Sequence, residues 1–177
     1  MNRTHRITPL PHAEYLKALG SSAPDPRKPP SNALGLLARH PRLAKAFLAF
    51  NTYLLVESTL PKRTRELAVL RVAWRRRCRY EWAQHVLIAR RAGVTDEEID
   101  LVRTGAPTLL NRAVDELEAD SRLSDATYQE LGADLDDHQL MDLVFTVGTY
   151  GLLATALNTF EVEPDPGIPE ENFNSQS

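Results

Sequence analysis

Four residues of this 177-residue chain have side chains and spacing suited to proton or sulfur chemistry: Glu66, Cys78, Glu81 and His85. They lie in the stretch from Leu60 to Gly93, LPKRTRELAVLRVAWRRRCRYEWAQHVLIARRAG, which holds the chain's only cysteine. With residues 78 to 92 helical, Cys78, Glu81 and His85 fall within an arc of roughly 60°, because each residue advances about 100°. A thiol, a carboxyl and an imidazole then point to the core side of one helix. Glu66 sits mid-stripe on the preceding helix, with Val69, Leu70 and Ala73 as same-face neighbours. A buried carboxylate is costly unless it is paired or hydrogen-bonded. Glu66 is therefore expected to meet His85 or Glu81 across the two helices. Two carboxyls and a histidine in a low-dielectric pocket shift one another's pKa values and supply a group that takes or gives a proton near neutral pH. Cys78 stands near a helix start, just after Arg75 to Arg77, and both features favour the thiolate.

Each residue has a plainer reading beside the chemical one. A lone buried cysteine is usually a small hydrophobe. A lone helical histidine is more often a satisfied core or surface residue, and Glu66 has Arg63 and Arg65 as ready ion-pair partners. Zinc could draw on Glu, His and Cys, but the tight ligand spacing of a metal motif is missing, so no metal is expected. The coincidence of three such groups on one helical face, with a fourth on the adjacent helix, is what points to a functional cluster.

The elements that must position these residues read as helices throughout. Residues 1–30 carry six of the twelve prolines and read as an extended arm rather than a helix. Ser31 can cap a short helix to about Arg39, and Pro41 opens one that runs to about Glu57. Pro61 opens a third, apolar nearly all round from Leu67 to Trp74 and so expected at the centre. The helix bearing the cluster stops at Gly93, a left-handed cap. Thr95 and Glu98 form a capping box for a short helix. Helices over 107–121, from Ser124 to near Gly132, and from about Asp136 to Phe160 follow. The tail from Val162 is polar. No segment alternates with period two, so the fold class is all-α, with a domain over 31–161 between the Pro-rich arm and the tail at 162–177.

Composition bounds the function. An apolar share of 42% and a charged share of 25% suit a globular chain, and the net charge of −3 gives no reason to expect nucleic acid. One cysteine excludes an intrachain disulfide framework and fits a reducing cytoplasm. The apolar run from Leu143 to Leu157 is short for the roughly 20 residues of a membrane span, so no membrane partner is expected.

Leu60-Pro61, Arg65-Glu66-Leu67, Leu70-Arg71-Val72-Ala73, Tyr80-Glu81-Trp82, His85, Ala92-Gly93 and Thr95 to Ile99 together resemble the carboxymuconolactone decarboxylase family of the alkylhydroperoxidase D-like superfamily. The likeness is strongest over residues 34–103 and reaches the last helix at Asp142 to Val147 and Tyr150. It implies an all-helical bundle of about six to eight helices that forms homo-oligomers (dimers, trimers or hexamers). Glu66, Cys78 and His85 stand where the peroxidase branch has a glutamate, the first cysteine of a Cys-x-x-Cys pair and a histidine. Glu81 replaces the second cysteine. That departure removes the intrachain disulfide of the two-thiol cycle, and an oxidised Cys78 would need an external thiol.

The decarboxylase branch works without redox chemistry on a lactone that carries a carboxylate. The expectation is a cofactor-free small-molecule enzyme in which Glu66 and His85 relay a proton, Glu81 is a second acid or base, and Cys78 is a pocket-lining thiol. Arg71, Trp82 and Tyr150 are the candidates for substrate contact, with Arg71 or an arginine from a neighbouring subunit for the substrate carboxylate. One rival is a single-cysteine alkylhydroperoxidase, or peroxiredoxin-like antioxidant, that depends on Cys78. Another is a non-catalytic oligomeric binding module. Gly148 and Gly151 on the last helix offer close approach to another helix, within the chain or in a partner.

Overall fold

The computed structural model describes residues 6–20, 23–169 and 173. The helices are α1 (His12–Leu19), α2 (Asn32–Leu37), α3 (Pro41–Thr52), α4 (Lys62–Arg75), α5 (Arg79–Arg91), α6 (Asp96–Thr104), α7 (Leu109–Asp120), α8 (Asp125–Leu131) and α9 (Asp137–Thr159). No strand occurs among the described residues, as the absence of period-two alternation implied.

The apolar run of α4 is central because it is flanked on every side. Val69 and Val72 pack with Val114 of α7 and with Leu143 and Val147 of α9. Leu70, Ala73 and Trp74 pack with Trp82 and Val86 of α5 and with Ile99 and Val102 of α6. Hydrophobic burial on both sides, at roughly 1.5–3 kcal/mol per large side chain, fixes the orientation of α4 and with it the placement of Glu66. α9 is 23 residues long and apolar enough to cross a membrane by length and composition. Here its inner face, including Leu143, Val147, Tyr150 and Ala154, is buried in the bundle.

The N-terminal arm differs from the sequence expectation. Its prolines bracket α1 rather than interrupt it: the helix starts after Pro11, and no proline lies within it. Tyr15 and Leu19, one turn apart, are buried against Ala38, Ala44 and Leu48, and that burial favours helix over an extended chain. Leu10 N–H donates to the Gly35 carbonyl at 3.0 Å, which lays the arm along α2.

The helix from Pro41 also departs from a plain α-helix. After Thr52 the chain forms a π turn over Tyr53–Glu57, with Ser58 N–H donating to the Tyr53 carbonyl. Two observations account for it. Arg65 Nη1 binds the Leu54 and Leu55 carbonyls at 3.3 and 2.9 Å. Asp142 of α9 accepts from Tyr53 Oη, Ser58 Oγ, and the Thr59 backbone N–H and Oγ1 at 2.7–3.1 Å. Side chains thus supply partners that α-helical hydrogen bonding would have supplied.

The tail folds back on the domain. Asp165 accepts from Asn32 N–H, Tyr80 Oη and Gln84 Nε2. Phe173 packs against Trp74 at 5.5 Å between ring centroids.

Candidate functional site

The turn between α4 and α5 sets the geometry. Arg77 adopts a left-handed conformation, φ 51°, uncommon for a residue with a Cβ. Arg77 N–H bonds the Trp74 carbonyl and Cys78 N–H reaches back to the Ala73 carbonyl at 2.8 Å, closing the end of α4. Cys78 becomes the N-cap residue of α5. The tight reversal lays the Glu81–His85 face of α5 along α4.

Glu66 is fully buried, and both its oxygens are used. Oε1 accepts from Arg65 Nε at 3.0 Å and Nη2 at 2.9 Å. Oε2 lies 2.7 Å from His85 Nδ1. Burial opposes ionisation of Glu66, but the His85 and Arg65 bonds outweigh it and hold the carboxyl below its ordinary range. Of the two partners open from sequence, His85 is the one that Glu66 meets. The His85 ring stands edge-on to Tyr150 of the same chain, with centroids 4.9 Å apart at 90°. His85 is 8% exposed, and no described residue hydrogen-bonds its Nε2. One carboxylate thus fixes one ring nitrogen, and the other nitrogen is left for an incoming group.

Glu81 is the opposite kind of carboxyl. It is 2% exposed, and neither oxygen has a hydrogen-bond partner. The Cys78 thiol, a weak donor, lies beside it. Burial raises the Glu81 carboxyl well above its usual range, against a smaller opposing pull from Cys78 and Arg76. The two carboxyls are therefore shifted in opposite directions, Glu66 down and Glu81 up. The Tyr150 hydroxyl is pushed up first by burial and then by the fields of Glu66 and Glu81.

Three expectations need correction. Cys78 is not a thiolate. It is fully buried, and burial together with Glu81 pushes the thiol up. The arginines before it are engaged elsewhere: Arg75 pairs with Asp115 and Arg76 with Glu118, while Arg77 is exposed. Arg71 does not reach the cluster. Its Nε and Nη2 bind the two oxygens of Asp115 at 2.7 Å each, and Nη1 binds the Val102 carbonyl. Trp82 packs on Trp74 at 4.9 Å in the core between α4, α5 and α6, because it lies one residue and about 100° round the helix from Glu81.

The sequence reading also passed over Arg65 as a member of the site and missed Glu118 altogether. Arg65 is 6% exposed and joins the π turn to Glu66. Glu118 and Arg76 close over Gly151, where a Cβ would come within 3.0 Å of Glu118 Oε1 and 3.2 Å of Arg76 Nη2. Gly151 thus makes room for a pair inside the chain, while Gly148 faces open space. Nothing in the run VDELEAD sets Glu118 apart from its acidic neighbours.

Residues 41–117 match the sequence model of the carboxymuconolactone decarboxylase family, a span that includes Glu66, Cys78, Glu81 and His85. No curated protein matches the chain. A peroxidase-related protein from Silicibacter sp. TM1040 has a similar structure, with a TM-score of 0.69 and 19% identity over 81% of this chain and 80% of that one. The AhpD core of a peroxidase-related protein from Ralstonia eutropha JMP134 gives 0.67 and 21% over 77% of each chain. A protein of unknown function from Agrobacterium tumefaciens, suggested to serve in AhpD-type antioxidant defence, gives 0.64 and 20% over 72% of this chain and 94% of that one. At such identities the likeness establishes a shared all-helical fold. Residues 41–117 thus carry the sequence pattern of the carboxymuconolactone decarboxylase family, and the chain has an AhpD-like helical fold.

Proposed function

We propose that the chain is a cofactor-free enzyme that moves a proton on a small carboxylated molecule, of which a carboxylated lactone is the first to test. The observation that carries this reading is the 2.7 Å contact between buried Glu66 Oε2 and His85 Nδ1. An ionised Glu66 accepts the Nδ1 proton and fixes the ring, so that Nε2 is the nitrogen that exchanges a proton with substrate. Glu81, held neutral by burial, is a second acid nearby. Opposed carboxyl states of this kind are what a site needs to run both halves of a proton relay. In a decarboxylation the bond to the carboxylate breaks, carbon dioxide leaves, the electron pair moves into the conjugated system of the substrate, and the carbon takes a proton from Glu81, which is reprotonated from solvent, or from His85 Nε2 once that nitrogen has taken a proton from solvent.

The rival single-cysteine peroxidase reading needs a thiolate at Cys78 and an external thiol to resolve it. The thiol is buried, pushed up and without a second cysteine in the chain. The test pairs two assays on the purified protein. Carboxylated lactones are screened for carbon dioxide release with wild type, H85A and C78S. Hydroperoxide consumption is measured with a dithiol reductant on the same three proteins. The proposal expects turnover of a lactone that H85A lowers by about 10²–10⁴-fold and C78S retains. Hydroperoxide turnover that C78S abolishes overturns it.

A further inference from the structure

We propose that Arg65 is a positioning residue of this site: its guanidinium, anchored in the π turn, keeps Glu66 an acceptor toward His85 and so leaves His85 Nε2 bare to take a proton. The inference deepens the acid–base reading above and rests on it for the role of Nε2. Successive residues of a helix point about 100° apart, so Arg65 and Glu66 do not face each other by position alone. The Arg65 side chain nonetheless folds over to Glu66, and Nε and Nη2 donate to the same oxygen, Oε1, at 3.0 and 2.9 Å. With Oε1 occupied, Oε2 is the oxygen that meets His85 Nδ1, at 2.7 Å. Both side chains of the ion pair are buried, at 7% and 0% exposure. A guanidinium is costly to bury unless its donors are satisfied.

The π turn satisfies the far side of Arg65. In a continued α-helix the Leu54 and Leu55 carbonyls would accept from the N–H groups of Ser58 and Thr59, four residues on. Here Ser58 N–H goes to the Tyr53 carbonyl instead, and Thr59 N–H goes to Asp142 Oδ2 at 2.7 Å. The two carbonyls are thereby released to Arg65 Nη1, at 3.3 and 2.9 Å. They stand at a helix C-terminus, where a cation is favoured. Arg65 is thus pinned between a helix end and a fully buried carboxylate.

Its charge decides what His85 can do. The groups that face Glu66 are Arg65 from α4, His85 from α5 and, through its field, the Tyr150 hydroxyl of α9. Of the three, Arg65 is the permanent cation. Burial opposes ionisation of Glu66, and the bonds from His85 and then Arg65 counter it. Without Arg65 the buried pair of Glu66 and His85 carries a net negative charge, which a low-dielectric interior disfavours. The pair then takes one proton from solvent. That proton arrives at Nε2, whether the Nδ1 proton stays on the ring or passes to Glu66 Oε2. Either way Nε2 changes from acceptor to donor, and the ring loses the nitrogen that takes a proton from substrate.

The test reads the protons of the His85 ring directly and needs no substrate. Long-range proton–nitrogen correlation spectra are recorded at one mildly alkaline pH on wild type, R65K, R65M and R65Q, with helix content followed by circular dichroism. R65Q gives a second neutral side chain in case R65M does not fold. Wild type and R65K, which keeps the charge, are expected to show a bare Nε2. R65M and R65Q are expected to show Nε2 protonated at unchanged helicity. All three variants are expected to speed amide hydrogen exchange at residues 53–59, since none can hold Glu66 and both carbonyls at once. A bare Nε2 in the neutral variants, or a protonated one in R65K, overturns the role of Arg65. Unchanged exchange at 53–59 overturns its anchoring in the turn. A wild-type ring already protonated on Nε2 overturns the reading of His85 and this proposal with it. Spectra as expected beside a failed lactone screen uphold Arg65 and overturn the substrate class alone.

Discussion

Replacing Glu81 by glutamine should make the protein less sensitive to rising pH, although Glu81 is far from the surface. The reasoning is linkage. The native carboxyl is raised by burial, whereas the unfolded one titrates near 4.3. Between those two values the native state binds a proton that the unfolded state does not. Stability then falls as pH rises, by about 1.4 kcal/mol per pH unit. Below the unfolded pKa both states are protonated, and the contribution is fully present. E81Q keeps the shape and neutrality of the protonated acid and removes its titration. Urea unfolding at pH 5, 6 and 7 measures the difference directly, with the slope m as a check that both proteins unfold alike. The gap in unfolding free energy should move in favour of E81Q by about 1.4 kcal/mol for each unit in which native Glu81 stays protonated. Parallel pH profiles for the two proteins would show that Glu81 is already ionised in the native state, and the opposed-carboxyl account would fail.

Other perturbations follow from the same structure. Cys78 should resist a thiol reagent such as DTNB at neutral pH in the native protein and react in urea; rapid native labelling would contradict the buried, raised thiol. Asp142 gathers four donors, so D142N should cost roughly 2–4 kcal/mol in urea unfolding and speed hydrogen exchange in the 53–59 turn. Its carboxyl is held low despite burial by hydrogen bonds from Thr59, Tyr53 and Ser58. The stability it adds is therefore present above the unfolded carboxylate range and lost as pH falls through the lowered native value. G35A should lower stability by about 1–3 kcal/mol, because the new Cβ meets Pro9 Cβ at 2.8 Å and the Leu10 carbonyl at 3.0 Å. An unchanged melting temperature there would mean the arm is not held on α2.

Much of the scaffold was legible in the sequence because its signals are local. Pro61, Gly93, the Thr95–Glu98 box and Ser124 mark helix ends through backbone chemistry that involves only nearby residues, and the structure places its helix ends there. The central position of α4 was legible because its stretch from Leu67 to Trp74 is apolar nearly all round. That Glu66 meets a polar group on the next helix followed from the cost of burying a carboxylate unpaired, with His85 and Glu81 both open, and the structure selects His85. What the sequence hid depends on distant partners. Three arginines before a cysteine suggest a thiolate, but Asp115 and Glu118 on α7 take Arg75 and Arg76. Asp115 also takes Arg71, forty-four residues away in the chain. The π turn was invisible because its stabilising groups, Arg65 and Asp142, come from other elements. α1 was hidden by prolines that flank it.

The central claim is that Glu66 holds the Nδ1 proton of His85 and leaves Nε2 for the substrate. Long-range proton–nitrogen correlation spectra on uniformly labelled protein report the tautomer of each of the chain's five histidines, with His85 assigned by the loss of its signal in H85A. The account predicts that neutral His85 carries its proton on Nδ1, and that E66Q shifts the tautomer balance of that ring while leaving the other histidines unchanged. A neutral His85 protonated on Nε2, or one indifferent to E66Q, would contradict it.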